Sequence, residues 1–327
     1  MFAFVVRRLL AAIPVLVIAS FFAYVLVAVS GDPLEPLKLR NPPAPQHTID
    51  LEVQRLGLDD NVVVRYGHWL WGVLHGDWGQ SVQSTYDIGA NLARASVVTL
   101  RLVFIATVLA LIFAVLTGVL SAVRQYSRFD YAATFTGFVF LAMPSFWIAI
   151  VLKDLAVRYN KGTGTTVFYT IGDKSQNYDA LSAAAKFADV GGHLVLPTIA
   201  LALTSYASWS RYQRAATLDV LNSDYVRLAR AKGLRWSKVL VKHVLRTALI
   251  PLVTVTALDV AGILGGAVIT ETVFNWNGLG RMLLTGVGRA DTNAVAAWLL
   301  LAGLIVIAFN VIADALYAVL DPRIRHA

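Results

Sequence analysis

The chain contains no cysteine and little charge, and each deficit excludes a class of protein. Without a thiol it can form no disulfide, no thiolate metal site and no cysteine nucleophile. Charged residues make up 15% of the chain and hydrophobic residues 57%, whereas a typical soluble domain has about 25% charged residues. Several apolar runs reach about 20 residues, the length that crosses a hydrocarbon core of ~30 Å. The composition therefore predicts an integral membrane protein.

Motifs for hydrolysis and nucleotide binding are also missing. The sequence has no HExxH, Walker A or GxSxG pattern, and its catalytic residue types do not cluster, which argues against a membrane enzyme that transports nothing. His68 and His75 lie two helical turns apart, but a metal site usually needs a third ligand and none is evident. We therefore expect no metal site and interpret the two histidines as residues that pack at the membrane interface.

Six segments are long and apolar enough to span a bilayer. Their backbone must be helical, because each polar backbone group in lipid is satisfied within its own segment. The predicted spans are Leu9–Ser30, Val97–Val123, Tyr131–Val157, Leu194–Tyr212, Ile250–Thr270 and Ala294–Leu320. The apolar run of the first span exceeds the roughly 7–15 residues of a signal-peptide core, so we expect an uncleaved anchor. The predicted fold class is an all-α integral membrane protein with six transmembrane helices.

The basic residues predict the orientation of these helices. Nine of the 28 Lys and Arg fall between Arg211 and Arg246, in the loop between the fourth and fifth spans. Further arginines precede the first span, follow the second and, as Arg323 and Arg325, follow the sixth. In the loop Gly31–Ser96, by contrast, acidic residues outnumber basic ones. Since basic residues concentrate in cytosolic loops, both termini and the basic loop are expected in the cytosol.

The spans divide the chain into three parts. Residues 1–31 form an N-terminal transmembrane helix, residues 32–96 an extracytoplasmic loop, and residues 97–327 a core of five transmembrane helices. Within the extracytoplasmic loop, "VVVRYGHWLWGVLHGDWG" is dense in tryptophan. Such aromatic density favours the headgroup region, so this stretch predicts an interfacial helix on the outer leaflet.

Several residues inside the spans are unusual for a lipid-facing helix. Pro144 removes a backbone hydrogen bond and predicts a kink. Asp259 costs roughly 2.5–3.5 kcal/mol near the bilayer centre, so it should face a partner or a wet cavity rather than lipid. Gly262, Gly265 and Gly266 allow close approach of a neighbouring helix. Pro144, Asp259, Gly262 and Gly266 are therefore candidates to line or gate a translocation path, with a static kink and tight helix packing as the alternatives.

The basic loop has the pattern of two short helices joined by a glycine turn. Asn222-Ser223-Asp224 supplies N-terminal capping chemistry, and Tyr225–Lys232 contains no helix breaker. Gly233 then has the position of a left-handed C-terminal cap. A second helix is predicted over Trp236–Ile250, with Pro251 opening the next span.

Two uses fit such a loop, which covers about residues 219–249. It could anchor on anionic lipid, or it could present a helix to the groove of a cytosolic partner. The loop carries no zinc or base-reading pattern and is tethered to the membrane at both ends, so no nucleic-acid partner is expected.

Five blocks of the sequence, in order, resemble one known family. They are "VVRRLLAAIPVL" followed by "GDP" at 31–33, "LGLDDNVVVRYGHWLWGVLHGDWGQS" at 56–81, "DYVRLARAKG" followed by the H-x-L-R-x-A-L-I-P pattern, "ITETVFNWNGLGRML" at 269–283, and "DALYAVLDPRIR" at 314–325. Together they resemble the first (B-type) permease subunit of the dipeptide and oligopeptide importers of the ABC class, a family that includes nickel importers. The resemblance covers essentially the whole chain.

The basic loop resembles the "EAA" loop of these permeases, whose signature is Glu-Ala-Ala, three residues and Gly. With Gly233 aligned, Arg227, Leu228 and Ala229 occupy the three positions, so the glutamate is absent. The departure resembles that of the peptide branch. Asn277 stands where a proline usually precedes "GLG", a local change of turn chemistry.

The resemblance implies a peptide-importing permease subunit that works by alternating access in the bacterial cytoplasmic membrane. It implies a heterodimer with a second permease subunit, two cytosolic ATPase subunits or one fused pair, and an extracytoplasmic substrate-binding protein. The chain itself would be no enzyme and bind no cofactor, since ATP and Mg belong to the ATPases. The residues implied to couple to an ATPase are Arg227, Ala229, Arg230, Ala231, Lys232, Gly233, Leu234, Trp236 and Ser237. Import of nickel or another small solute, and a proton-coupled secondary carrier, remain alternatives.

Overall fold

The computed structural model describes residues 2–83 and 85–320, and within them the only β-structure is an isolated bridge between Gln80 and Asp87. The helices are α1 Phe2–Ser30, α2 Glu35–Lys38, α3 Gln46–Leu56, α4 Val62–Leu74, α5 Ile88–Val123, α6 Arg128–Ala142, α7 Ser145–Thr163, α8 Ala183–Leu221, α9 Asp224–Ala231, α10 Trp236–Val239, α11 Arg246–Phe274, α12 Leu279–Gly288 and α13 Thr292–Leu320. A 3₁₀ turn covers Tyr178–Ala180 and a π-helical turn Leu240–Leu245. Arg323 and Arg325, which the orientation argument used, lie outside the described residues.

The described residues contain five helices that are long and apolar enough to cross a membrane, and a sixth span if one bent helix pair counts as one. The five are Arg7–Lys38, Ile88–Val123, Ala183–Leu221, Trp236–Phe274 and Thr292–Ala313. They contain or overlap all the predicted spans except the third. The all-helical membrane architecture is thereby confirmed.

The predicted third span, Tyr131–Val157, is two helices rather than one kinked helix. The helices α6 and α7 meet at an angle of 104°, with extended backbone at Met143 (ψ 130°) and Pro144 (ψ 138°). The proline ring disfavours helical backbone at the residue before it, which ends α6 there. Pro144 then serves as the N-cap of α7, and its carbonyl accepts the first helical hydrogen bond, from Trp147 N at 3.0 Å. The kink predicted at Pro144 is therefore a break.

The second helix of the basic loop is also longer than predicted. The predicted boundary at Pro251 is wrong, because α10, the π-helical turn and α11 run on without a break from Trp236 to Phe274. Pro251 lies inside α11. A proline removes one backbone bond, which a membrane helix tolerates when local adjustments satisfy the freed groups.

The chain folds as two compact units, and the first contains the described residues up to Thr99 together with Asn277–Ile307. In this unit α4 packs on α1 through an aromatic cluster. The ring centres of Tyr24, Tyr66 and Trp69 lie 5.6–5.9 Å apart, and the Tyr66 hydroxyl donates to Val17 O at 2.9 Å. Burial raises the pKa of the Tyr66 hydroxyl. The predicted helix is thus present as α4. Its Trp69, however, is buried against the protein and does not face the headgroup region.

The segment after α4 is fixed to the start of α13 by Asp291. Its carboxylate accepts from Ser81 Oγ at 2.5 Å and Val82 N at 3.2 Å, and it caps α13 through Ala294 N at 3.1 Å. One buried side chain therefore anchors a loop and a helix start that are more than 200 residues apart in the sequence.

The second unit contains Leu100–Trp276 and the described residues from Ala308 onward, and α8 packs in it against α6, α7 and α11. At Gly118, α5 approaches α8 so closely that a Cβ on this residue would lie 2.7 Å from Ser210 O. Between α6 and α8, the buried Asp130 carboxylate accepts two hydrogen bonds from the Arg214 guanidinium, at 2.7 and 2.8 Å. Such a two-point pair fixes both distance and orientation.

The C-terminal end of α11 is tied to its neighbours through its last carbonyls. Lys153 Nζ of α7 donates to Val273 O at 2.5 Å, and Gly172 N donates to Phe274 O at 2.8 Å. Such groups have no helical partner at a C-terminus, and a cation there complements the helix dipole.

Candidate functional site

The basic loop begins with α9, whose first turn departs from the predicted capping. Ser223 is the N-cap residue, but its hydroxyl donates to Val220 O at 2.6 Å and makes no capping bond to α9. Asp224 is in the first turn, where its charge complements the helix dipole. The helix ends one residue before the predicted end, at Ala231.

Gly233 forms the left-handed turn that the sequence predicts. Its φ is +73°, and Gly233 N and Leu234 N donate to Arg230 O at 2.9 Å and Ala229 O at 3.4 Å. This arrangement satisfies the final carbonyls of α9 and reverses the chain toward α10. No atom lies within 4 Å of a Cβ built at this position, so backbone conformation alone selects glycine.

The two arms of the loop enclose a small hydrophobic core. Val226 and Ala229 of α9 meet Val239 and Val244 of the second arm, all with at most 6% of their surface exposed. Leu234 packs against this cluster from the turn. Ala229 and Leu234, two of the residues implied to contact an ATPase, therefore stabilise the loop itself.

The other implied coupling residues are exposed. The exposed members are Arg227, Arg230, Ala231, Lys232, Gly233, Trp236 and Ser237. Leu228, which sequence reasoning did not select, is also 55% exposed beside them. Its place in α9, two residues from Val226 and one from the buried Ala229, could have shown that it points outward. The result is a basic surface with an apolar centre.

The basic side chains on this surface make one cation–π contact and one weak ion pair. The guanidinium of Arg230 lies over the Trp236 ring. Arg227 approaches Asp224 at 3.7 Å, but the side chains are 71% and 100% exposed, so water screens this pair and leaves it little energy. Arg227 is thus available to a partner at the position where the family signature has glutamate.

The loop passes into α11 through the π-helical turn Leu240–Leu245. Val239, just before this turn, and Val244, within it, are buried in the loop core. The second arm of the loop, which carries these two valines, and α11 therefore belong to one helical run. Short π-helical turns within helices occur frequently at functional sites.

Asp259 in α11 has a polar partner, as predicted. Trp209 Nε1 of α8 donates to Asp259 Oδ2 at 2.7 Å. Trp209 has no exposed surface, while Asp259 is half-buried. No sequence pattern indicated Trp209, because the two residues are 50 positions apart. The structure joins Asp259 to Trp209 and not to Pro144, which lies exposed at the break before α7.

The three glycines of α11 have different surroundings. A Cβ at Gly266 would lie 3.2 Å from Leu201 Cδ1 of α8, so close packing is confirmed there. At Gly262 and Gly265 no atom lies within 4 Å of a built Cβ, and both residues are exposed. No described helix of this chain packs closely against these two glycines. They form an open, small-residue face on α11.

Two protein-family models together match most of the chain. Residues 114–326 match the model of the binding-protein-dependent transport system inner membrane component family. Residues 1–90 match the model of its N-terminal region.

Named relatives match over nearly their full length. The chain is 39% identical over 322 residues to the oligopeptide transport system permease protein OppB of Mycobacterium tuberculosis, covering 98% of both chains. It is 36% identical over 328 residues to AppB, an oligopeptide permease of Bacillus subtilis, covering 100% of both. It is 34% identical over 338 residues to the dipeptide permease DppB of Escherichia coli K12, covering 100% of this chain and 99% of the relative.

A solved structure supports the fold. An inward-facing structure of the MetNI methionine ABC transporter matches with a TM-score of 0.54 and 16% identity, covering 70% of this chain and 96% of that one. At this identity the likeness establishes the shared fold only.

Proposed function

The chain belongs to the family of binding-protein-dependent transport system inner membrane components, and we propose that it is the B-type permease subunit of an ATP-driven importer of dipeptides or oligopeptides. Members of this family are transport subunits and not enzymes. The observation that carries the substrate class is the end-to-end match, at 34–39% identity, to relatives named as oligopeptide and dipeptide permeases.

The proposed topology has six spans, with the bent α6–α7 pair counted as one. An even number places both termini on the same side, and the concentration of Lys and Arg between Arg211 and Arg246 makes that side the cytosol. Residues 1–31 then form the first span, 32–96 an extracytoplasmic part and 97–327 the permease core. The membrane is the bacterial cytoplasmic membrane.

We assign coupling to the exposed surface of the basic loop. Its arms are held by an internal core, so the surface is a preformed unit that can dock in a groove of a cytosolic ATPase. The exposed arginines and lysines require acidic groups on that groove, since like charges across an interface cost several kcal/mol. Leu228, at the apolar centre, would enter a hydrophobic pocket there.

The proposed complex has further subunits. A second permease subunit forms the heterodimer, two ATPases or a fused pair bind ATP and Mg, and a substrate-binding protein delivers peptide from outside.

The continuous helical run from Trp236 to Phe274 connects the basic loop to the membrane core. Movement of the ATPases would be transmitted along it to alternate the access of the path. Asp259 and Gly262, on the half-buried and open side of α11, are proposed to face that path, while Gly266 packs against α8 and Pro144 marks the bend.

Reconstitution of the complete complex in liposomes tests this function. We expect peptide uptake that needs ATP, the ATPases and the binding protein. Uptake that continues without the ATPases would instead identify a proton-coupled carrier. ATP-dependent uptake of nickel or another small solute, without peptide uptake, would keep the architecture and replace the substrate.

A further inference from the structure

Asp259 is a carboxylate without a charged partner among the described residues, in the middle of a membrane helix. Among the described residues it accepts one side-chain hydrogen bond, to Oδ2 from Trp209, and no described Lys, Arg or His forms an ion pair with it. Three described cations of the long helices have other partners: Arg101 pairs with Asp173, Arg214 with Asp130, and Lys153 with a backbone carbonyl. The part of the chain that the structure describes therefore supplies no counter-charge for this acid.

The carboxylate lies beside open space. Gly262 is one turn along α11 from Asp259 and therefore on the same face. Neither Gly262 nor Gly265, a further turn along, has any atom within 4 Å of a built Cβ, and the neighbouring Leu258 is 73% exposed. A ligand can thus approach the carboxylate without displacing a side chain of the second unit.

Trp209 fixes the orientation of the acid. The indole is fully buried and has a single N–H donor, which it gives to Oδ2. The other oxygen, Oδ1, keeps its lone pairs for a further donor. An ionised acid in a membrane segment is costly and normally serves a transported species or a pairing partner. A proton relay needs further titratable groups in sequence, but the contact of Asp259 is an indole that does not titrate.

We propose that Asp259 is a transient binding point for the ammonium group of a peptide in transit, with Trp209 as its positioning residue. The proposal rests on the proposed function. The α-amino group of a peptide is mostly protonated at neutral pH and donates three hydrogen bonds, and an ammonium–carboxylate hydrogen bond is among the stronger ones. The same chemistry is offered by a lysine side chain in the peptide. Peptides that carry only one of the two ammonium groups distinguish the N-terminus from the lysine side chain.

The test uses the complete reconstituted complex and three peptides: trialanine, N-acetyl-trialanine and N-acetyl-Ala-Lys-Ala. We expect Asp259→Asn to reduce the uptake of trialanine relative to N-acetyl-trialanine by about tenfold. This corresponds to the lower end of what one hydrogen bond to a charged group contributes. Asp259→Glu should retain the preference. An equal reduction for N-acetyl-Ala-Lys-Ala would extend the assignment to the lysine ammonium, whereas a reduction for that peptide alone would make the side chain the source.

Two controls show whether a change in uptake arises in the permease and at Asp259. The same binding protein serves every variant, so a change in relative uptake between variants belongs to the permease. Asp154→Asn removes an exposed acid of α7 that pairs with Arg158 and should leave relative uptake unchanged. Trp209→Phe keeps an aromatic ring but removes the N–H donor, and should raise the KM for trialanine without changing the KM for N-acetyl-trialanine.

A second measurement covers the case in which Asp259→Asn does not assemble. With the wild-type complex, a photoreactive group on the first residue of the peptide should label the segment Leu258–Gly266, and the same group on the last residue should not. Labelling in the opposite sense, or an unchanged preference in Asp259→Asn, overturns the inference. Absence of ATP-dependent peptide uptake in the wild type would instead overturn the proposed function.

Discussion

The guanidinium of Arg230 lies 5.2 Å from the centre of the Trp236 ring, across the turn at Gly233. This cation–π contact joins the two arms of the basic loop on their outer side, while Val226 and Val239 join them inside. An exposed contact of this kind contributes roughly 0.5–1 kcal/mol. The loop therefore depends mainly on its core and on the turn, and this defines where it is sensitive to substitution.

Replacing Gly233 with valine should uncouple the loop from its ATPase. The turn has φ +73°, and a left-handed backbone costs a residue with a Cβ about 1–2 kcal/mol, more for a β-branched one. We expect normal membrane insertion but reduced substrate-stimulated ATP hydrolysis by the reconstituted complex.

The control is Gly162→Val near the end of α7, where no atom lies within 4 Å of a built Cβ and φ is not positive. This variant should hydrolyse ATP like the wild type. If Gly233→Val also assembles and hydrolyses normally, the loop does not couple to the ATPase.

Breaking the pair between Asp130 and Arg214 should lower the thermal stability of the purified subunit. Asp130 is 2% exposed, so Asp130→Ala leaves the Arg214 guanidinium without its main partner, at a cost of about 3–5 kcal/mol. Thermal unfolding in detergent measures the loss. The double variant with Arg214→Met should recover part of it.

The exposed pair of Asp154 and Arg158 provides the comparison for that experiment. Its side chains are 53% and 76% exposed, so Asp154→Ala should change stability by less than about 1 kcal/mol. Equal losses for Asp130→Ala and Asp154→Ala would show that burial does not determine the contribution of these pairs.

A methyl group at Gly118 should destabilise the crossing of α5 and α8. The new Cβ would lie 2.7 Å from Ser210 O and 2.8 Å from Gln213 Cβ, and overpacking of this kind typically costs about 1–3 kcal/mol. Gly262→Ala places the same methyl in open space and should leave the isolated subunit as stable as the wild type. Equal unfolding temperatures for the two variants would contradict the close approach.

Removing the carboxylate of Asp291 should loosen the first unit. The variant Asp291→Ala loses the bonds to Ser81 and Val82 and the cap of α13, and a lost cap alone costs roughly 0.5–2 kcal/mol. We expect faster proteolysis between Gly76 and Asp87 in the purified subunit. As control, Asp77→Ala removes an exposed acid that accepts one local bond, from Gly79 N, and should leave the cleavage rate unchanged.

The predictable features are those that a single segment determines. Long apolar runs predicted α1, α5, α8 and α13, and Gly233 was identifiable because glycine adopts positive φ without a steric penalty. The burial of Val226 and Ala229 also follows a local spacing of three residues. The assignment of Ala229 to a partner surface came from the family resemblance, which does not distinguish residues that dock from residues that hold the docking element together.

The features that were missed depend on contacts distant in sequence. Pro144 breaks its span, whereas Pro197 and Pro251 lie inside helices. The two outcomes could not be told apart beforehand, because the local sequence does not show which neighbours satisfy the freed backbone groups. The requirement for a partner at Asp259 was predictable from the cost of its charge. That the partner is Trp209 follows only from the packing of α8 on α11.

The hydrogen bonds from Lys153 and Gly172 hold the last carbonyls of α11, so that end of the helix would be the pivot of any swing. The run from Trp236 to Phe274 has 39 residues and, at about 1.5 Å per residue, is about 58 Å long. If it swings as a rigid rod about the tied end, a rotation of about 5° moves the other end along an arc of about 5 Å. Large displacements of the basic loop would then need only small angular changes at the pivot, and residues between the two ends would move in proportion to their distance from it.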